Sequence, residues 1–192
     1  MGNSIKLFEG YAESMPFDNN FFDLITSNNG LKNVQDLKKS LAECNRVAKT
    51  GAQFVFTYNK AESFIEFYNI FREAINKLGL QELNKEIDLH ILSKRKPLEE
   101  YEDELENTGF EIETIHDDKF HYRFADGTSF LNHFFIKLAF LESWKNIVPE
   151  NMRTPIFNEI ECMLNKIAIE SEGFHTQVPF VIFNCNKIKH II

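Results

Sequence analysis

Cysteine is scarce in this chain and poorly placed for a covalent or metal framework. There are three copies, Cys44, Cys162 and Cys185, far apart and never spaced as CxxC. That excludes a disulfide scaffold and a zinc knuckle, and a reduced, cytoplasmic setting fits. Positive charge is also in short supply: 21 Lys and Arg face 29 Asp and Glu, a formal net charge of −8. A nucleic-acid backbone or an anionic membrane is therefore a poor partner. No apolar run is long enough to span a bilayer, and the opening MGNSIKLFEG lacks the apolar core of a signal peptide. No GxGxG turn, internal repeat or low-complexity linker occurs.

What the chain does have is apolar and aromatic material. It is 43% apolar, with 20 Phe among 192 residues, so one domain with an aromatic-rich core is expected. Ile5–Phe8 reads as a short strand and Phe21–Thr26 as a second. Val34, Leu37, Leu41, Cys44 and Ala48 form one helical stripe, with Lys49 in the last turn and Gly51 as the stop. Ala52–Tyr58 is a strand. A helix is expected over Glu62–Leu78, with Ser63 and Glu66 at capping-box spacing and Gly79 ending it. A charged connection carrying Lys94, Arg95 and Lys96 leads to a helix that Pro97 opens and Gly109 closes. Phe110–Ile115 is a strand. Residues 117–176 read as mostly helical, with stripes through Phe130, Phe134, Lys137 or Leu138, and Leu141, and through Ile156, Ile160, Leu164 and Ile167. Val178–Cys185 is the last strand.

Strand, polar break, helix, strand over Phe21–Tyr58 is the βαβ pattern of a parallel sheet, in which small molecules bind at the carboxyl ends of the strands. The wording of this stretch resembles class I S-adenosylmethionine-dependent methyltransferases, in the group containing the ubiquinone/menaquinone methyltransferases. The turn Gly10-Tyr11-Ala12-Glu13 followed by Met15-Pro16-Phe17 resembles the family's Gly-Asp-Ala-Glu turn and its apolar-Pro-Phe segment. Phe22-Asp23-Leu24-Ile25, then Ser27-Asn28 and Leu31-Lys32-Asn33-Val34, resemble its fourth strand and the segment after it. Arg46-Val47-Ala48-Lys49-Thr50-Gly51-Ala52 stands where the family has Arg-Val-Leu-Lys-Pro-Gly-Gly. The resemblance covers Ile5–Tyr58 well and is weaker at 98–115 and at the last strand.

The resemblance implies an α/β fold: a Rossmann-like methyltransferase sheet, N-terminally incomplete, with a helical cap inserted before the last strand. The whole of 1–192 is then one domain, with a partial core over 1–116, the cap over 117–176 and the last strand over 177–192. The last strand should lie antiparallel between its two predecessors. It further implies S-adenosylmethionine as cofactor, with Tyr11, Ala12 and Glu13 on the adenine side and Asn28 and Asn29 on the methionine side. Tyr11 replaces the family's acid, so a ring stands where a carboxylate would accept from the adenine amino group. The family's first strand, its glycine-rich turn and the acid that holds the ribose have no counterpart. The chain then reads as a fragment of a longer protein that binds the cofactor weakly or not at all by itself. The edge at Phe21–Thr26 would be open to pairing with another chain, giving a homo-oligomer.

Methyl transfer asks the protein mainly for positioning and exclusion of water, with a base when the acceptor is a hydroxyl, phenol or acidic carbon. His133, beside an aromatic-rich helix face, is the candidate base, with Asn132 to orient it. By the parent topology the insert that carries them lies over the carboxyl ends of the strands. His116, Asp117, Asp118 and His121 resemble a metal cluster by composition, but a solvated turn explains them better and no metal is expected. Lys94-Arg95-Lys96 reads as a solvated loop that could also meet an anionic substrate. The expected function is methyl transfer to a small-molecule acceptor. The alternative is an inactive methyltransferase-like domain that binds a partner chain.

Overall fold

The apolar run of Phe21–Thr26 does form a strand. In the computed structural model, which describes residues 5–188, β1 spans Phe22–Asn28. It is followed by α1 (Leu37–Val47), β2 (Ala48–Asn59), α2 (Ile65–Lys77), α3 (Asn84–Lys94), α4 (Leu98–Asn107) and β3 (Phe110–Phe124). Three short helical pieces come next: α5 (Gly127–Asn132), α6 (Phe134–Ile136) and α7 (Glu142–Lys145), with a π-helical turn at Lys137–Leu141 before α7. The long α8 (Glu150–Glu170) and β4 (Phe174–Lys187) complete the order.

The four strands form one sheet in the order β1-β2-β4-β3. β1 and β2 are parallel, with Ile25 opposite Phe54 and Asn28 opposite Thr57. β2 and β4 are antiparallel, with Phe56 opposite Phe183. The last strand therefore sits between its two predecessors and runs against β2, as expected. β1 is an edge, with its second side unpaired among the described residues.

The chain divides into two compact units. The first draws on residues up to Asn59, on Lys96–Asp117 and on residues from Phe180 onward; the second on Lys60–Arg95 and Asp118–Pro179. In the first, alternation along β2 puts Phe54, Phe56 and Tyr58 on one buried side. The Phe56 ring stacks on Phe183 at 4.7 Å, and Tyr58 lies 4.5 Å from Tyr101 of α4. Leu37, Leu41 and Cys44 bring the α1 stripe to the same core. Each fully buried large apolar side chain contributes about 1.5–3 kcal/mol. An exposed ion pair such as Lys49–Asp23 contributes at most about 1. The aromatic ladder, not the surface charge, holds this unit.

Several expectations need correcting. Ile5–Phe8 is not a strand: no strand of the described residues pairs with it, and Ile5 and Leu7 are 89% and 92% exposed. The α1 stripe stops at Val47, and Ala48 and Lys49 already belong to β2. Gly51 ends no helix; it takes φ 78° inside a bulge where β2 uses extra residues between the partners of Phe22 and Leu24. The capping box fails as well. Glu66 instead accepts from the Thr176 hydroxyl and the Gln177 amide, while Ser63 donates to the Lys60 carbonyl. The connection after Gly79 contains a helix, α3, whose one fully buried residue is Ile87, too little for a readable stripe. His116, Asp117 and Asp118 lie within β3, not in a turn. The expected stripe through Phe130, Phe134 and Leu138 breaks because His133 turns extended, at ψ 135°, and resets the helical phase. Phe130 is buried, whereas Phe134 and Leu138 are 77% and 74% exposed.

Candidate functional site

Parallel pairing puts the carboxyl ends of β1 and β2 at one edge, and the side chains there are polar. Asn28 ends β1, and its Oδ1 accepts from the Thr57 hydroxyl at 2.7 Å. Asn29 follows at φ 54°, a left-handed conformation that asparagine tolerates better than most residues. Its amide donates to Thr57 Oγ1 at 3.0 Å, and its Oδ1 accepts from the Asn59 amide at 3.2 Å. Thr57 is thus the hub of the edge, donating to Asn28 and accepting from Asn29. A Cβ at Gly30 would meet Ser27 Oγ at 2.7 Å, a contact that rotation of the serine side chain can relieve.

The turn before β1 closes through Ser14 N–H donating to the Tyr11 carbonyl at 3.1 Å. Tyr11 is 75% exposed and presents its ring outward. Ala12 lies in the same turn and lines a shallow hollow of about 210 Å³ with Phe8, Gly10, Tyr11, Met15 and Phe17. The Glu13 carboxylate is already engaged. Its Oε1 accepts from the Gln35 and Asp36 amides at 2.8 and 3.2 Å, ahead of α1. Its own backbone amide first, then those of Asp36 and Gln35, hold its pKa below the usual carboxylate value.

Behind the turn, α1 supplies a clamp. Arg46 donates to the carbonyls of Met15 and Phe17 at 2.9 and 2.7 Å and forks onto Glu43. Glu43 Oε2 accepts from the Met15 amide at 2.9 Å. The Arg46 hydrogen bond holds the Glu43 carboxyl below its ordinary range. Arg46 opens the segment that resembles the Arg-Val-Leu-Lys signature; its role is to fix the linker that leads into β1. Nothing in the sequence marked Lys187, which donates to the carbonyls of Asn45 and Ala48 at 2.7 and 2.8 Å and to Asn20.

In the second unit Asn132 and His133 are exposed. The Asn132 amide donates to the Thr128 carbonyl at 3.0 Å, so its donor is turned back along α5. The His133 ring meets the Phe124 ring edge-on at 5.4 Å. No group of three or more His, Cys, Asp or Glu among the described residues could hold a metal ion. No helix of the described residues is long and apolar enough to cross a membrane. The two buried thiols, Cys44 and Cys185, are each pushed up to about 12 by burial, which makes them poor nucleophiles.

Residues 2–56 match the methyltransferase domain family. Over 71 residues the chain is 38% identical to the demethylmenaquinone methyltransferase of Renibacterium salmoninarum, covering 37% of this chain and 30% of that protein. Over 85 residues it is 36% identical to the ubiquinone/menaquinone biosynthesis C-methyltransferase of Psychromonas ingrahamii, covering 41% of this chain and 33% of that one. The matched stretches thus span about a third of the relatives' length. A candidate methyltransferase of Bacillus halodurans superposes with a TM-score of 0.54 at 18% identity, covering 96% of this chain and 78% of that structure. The methyltransferase resemblance holds in sequence over up to 41% of the chain, and the Rossmann-like methyltransferase fold holds over most of it.

Proposed function

We propose that this chain is a methyltransferase domain whose β1–β2 carboxyl edge takes part in binding S-adenosylmethionine for methyl transfer to a small-molecule acceptor. The observation that carries the reading is the Asn28–Asn29–Thr57 edge on two parallel strands, lying at the end of the stretch that matches the methyltransferase domain family. The residues fit the cofactor in part. The exposed Tyr11 ring offers a stacking face, the hollow at Ala12 offers room, and Asn28 keeps its amide donors because only its oxygen is used by Thr57. Glu13 supports the turn through its bonds to Gln35 and Asp36, so it acts on the cofactor through the position of that turn.

When bound, the sulfonium group supplies an already activated methyl, which leaves orientation and exclusion of water to the protein. Asn29, locked by Thr57 and Asn59, holds the backbone at the edge. We assign His133 the role of proton acceptor when the methyl acceptor carries an acidic proton, and Asn132 the role of shaping its loop. The acceptor class follows the name of the Renibacterium salmoninarum relative, a demethylmenaquinone.

The test is transfer of a labelled methyl from millimolar S-adenosylmethionine to a naphthoquinol by the 192-residue chain, compared with a chain-free control. Labelled product that falls on His133→Ala more than cofactor affinity does supports the reading. Absence of both product and cofactor binding at that concentration overturns it. The chain would then act through a partner, a reading that the internal use of Glu13 and the lack of a GxGxG turn favour.

A further inference from the structure

The sheet has two edges, and they are guarded unequally. β3, at one edge, carries Glu111, Glu113, Asp117, Asp118 and Lys119 along its length. Charge of that density resists pairing with another strand. β1, at the other edge, reads Phe-Asp-Leu-Ile-Thr-Ser-Asn and holds neither lysine nor proline. Its single charge, Asp23, is tied to Lys49 of its own chain at 2.8 Å. The bulge lies before Leu24; from Leu24 opposite Gln53 to Asn28 opposite Thr57 the register with β2 is unbroken. The second side of β1 has no partner among the described residues, so a regular row of backbone N–H and C=O groups is left there.

An apolar surface continues from the same strand. Leu24 is 52% exposed. At the amino end Phe8 meets Phe17 at 5.1 Å, Phe17 meets Phe22 at 4.9 Å, and Phe22 meets Phe21 at 4.8 Å. Phe8 and Phe21 nevertheless stay 61% and 54% exposed. A contiguous exposed patch of this kind marks an interaction surface. The unpaired backbone beside it sets the chemistry of the occupant, an extended strand added to the sheet.

We propose that β1 pairs antiparallel with β1 of a second copy of this chain, across a two-fold axis near Leu24–Ile25. A second copy offers two strand edges, β1 and β3. Setting β1 on β3 would bring Asp23 to an acid-rich strand, and each added chain would leave another edge open. Setting β1 on β1 places Leu24 beside Leu24 or Thr26 of the other copy. Antiparallel order also keeps the two Asp23 carboxylates from facing each other. The amino end of each strand then lies along the carboxyl end of the other, which carries the exposed Phe21 ring toward the partner strand. Both β1 edges are used, so the assembly closes at two chains. The proposal does not rest on the methyl-transfer reading.

Sedimentation velocity of the 192-residue chain from micromolar to millimolar concentration should show a reversible monomer–dimer equilibrium, the dimer having twice the 22.5 kDa of the chain. Amide hydrogen exchange at the same concentrations should slow over Phe22–Asn28 as the dimer fills and stay unchanged over Phe110–Phe124. Leu24→Lys adds a charge at the open edge and should raise the dissociation constant about tenfold or more. Leu89→Lys, at a leucine of α3 that is 59% exposed, should leave it unchanged. Both side chains are exposed, so both variants should keep the fold by circular dichroism. A monomer throughout the range overturns the proposal and leaves the edge to a strand of a different protein. Assemblies that grow past the dimer overturn it too. So does a dimer in which β1 exchange stays fast, or one that Leu24→Lys leaves intact.

Discussion

The first unit packs its aromatics along strands; the second packs them around one indole. In the sheet-bearing unit Phe54, Phe56, Tyr58 and Phe183 follow each other at strand spacing, and α1 and α4 add Leu41, Tyr101 and Leu105. In the helical unit Phe67 stacks on Trp144 at 4.0 Å, and Phe64, Phe130 and Phe140 surround the same ring. Both cores are Phe-rich, yet only the first unit carries the stretch that matches a family, residues 2–56. The strand-packed core comes with a turn, an edge and an arginine clamp at fixed spacings. The indole-centred core draws on α2, the long α8 and the short pieces between β3 and α8, whose order in sequence carries little of their geometry.

The largest effect should come from the helical core. Phe67→Ala removes a fully buried ring in contact with Trp144 and Phe71 and should cost about 3–5 kcal/mol. Leu24→Ala, on the edge strand and 52% exposed, should stay within about 0.5. Denaturant melts followed by Trp144 emission and by far-UV circular dichroism measure both. Equal losses would remove the contrast between a buried ring and an edge residue.

At the strand edge, Asn29→Val forces a β-branched residue to φ 54° and drops the Asn59 bond, at a cost of about 1–2 kcal/mol. Asn29→Gly should lose less, because glycine accepts that backbone freely. Asp36→Ala removes the oxygen that accepts from Lys39 N–H at 2.9 Å and should cost about 1 kcal/mol. Chemical denaturation distinguishes these values from the near-zero change expected at Leu24.

The smallest effects at neutral pH are those confined to acid, and they separate the two units. His90 in the second unit has a folded pKa of about 4, below its ordinary 6.5. Between those values the unfolded chain binds the extra proton, so stability falls as pH drops through that window. Glu43 in the first unit has its pKa lowered from 4.5, chiefly by Arg46. Its contribution is complete above about 4.5 and is lost as pH falls through the lower folded value. His90→Gln should flatten the loss between pH 6.5 and 4, and Glu43→Gln the loss below 4.5. Melting curves taken across pH for each variant check the sign.

Sequence periodicity captured what local spacing determines. Most of the α1 stripe and the strand at Ala52–Tyr58 were legible in this way, and the place of Val178–Cys185 between its neighbours followed from the family resemblance. What was lost depended on partners distant in sequence. Glu66 was taken from its capping role by Thr176 and Gln177. Helix α3 escaped notice because it buries Ile87 and little else. One extended residue at His133 exposed Phe134 and Leu138. Of the expected cofactor residues, Asn28 and Asn29 do share an edge, but through Thr57, which nothing in the local wording marked. Arg95 looked like part of a wet basic loop because burial of one residue in three leaves no periodic trace.

The most direct test of the central claim is amide chemical-shift mapping of the 192-residue chain with millimolar S-adenosylhomocysteine. The account predicts weak, fast-exchange perturbations confined to Tyr11–Glu13, Asn28–Gly30 and Thr57–Asn59, reduced by Asn28→Leu. Perturbations that avoid the β1–β2 carboxyl edge, or none at all at that concentration, would contradict it.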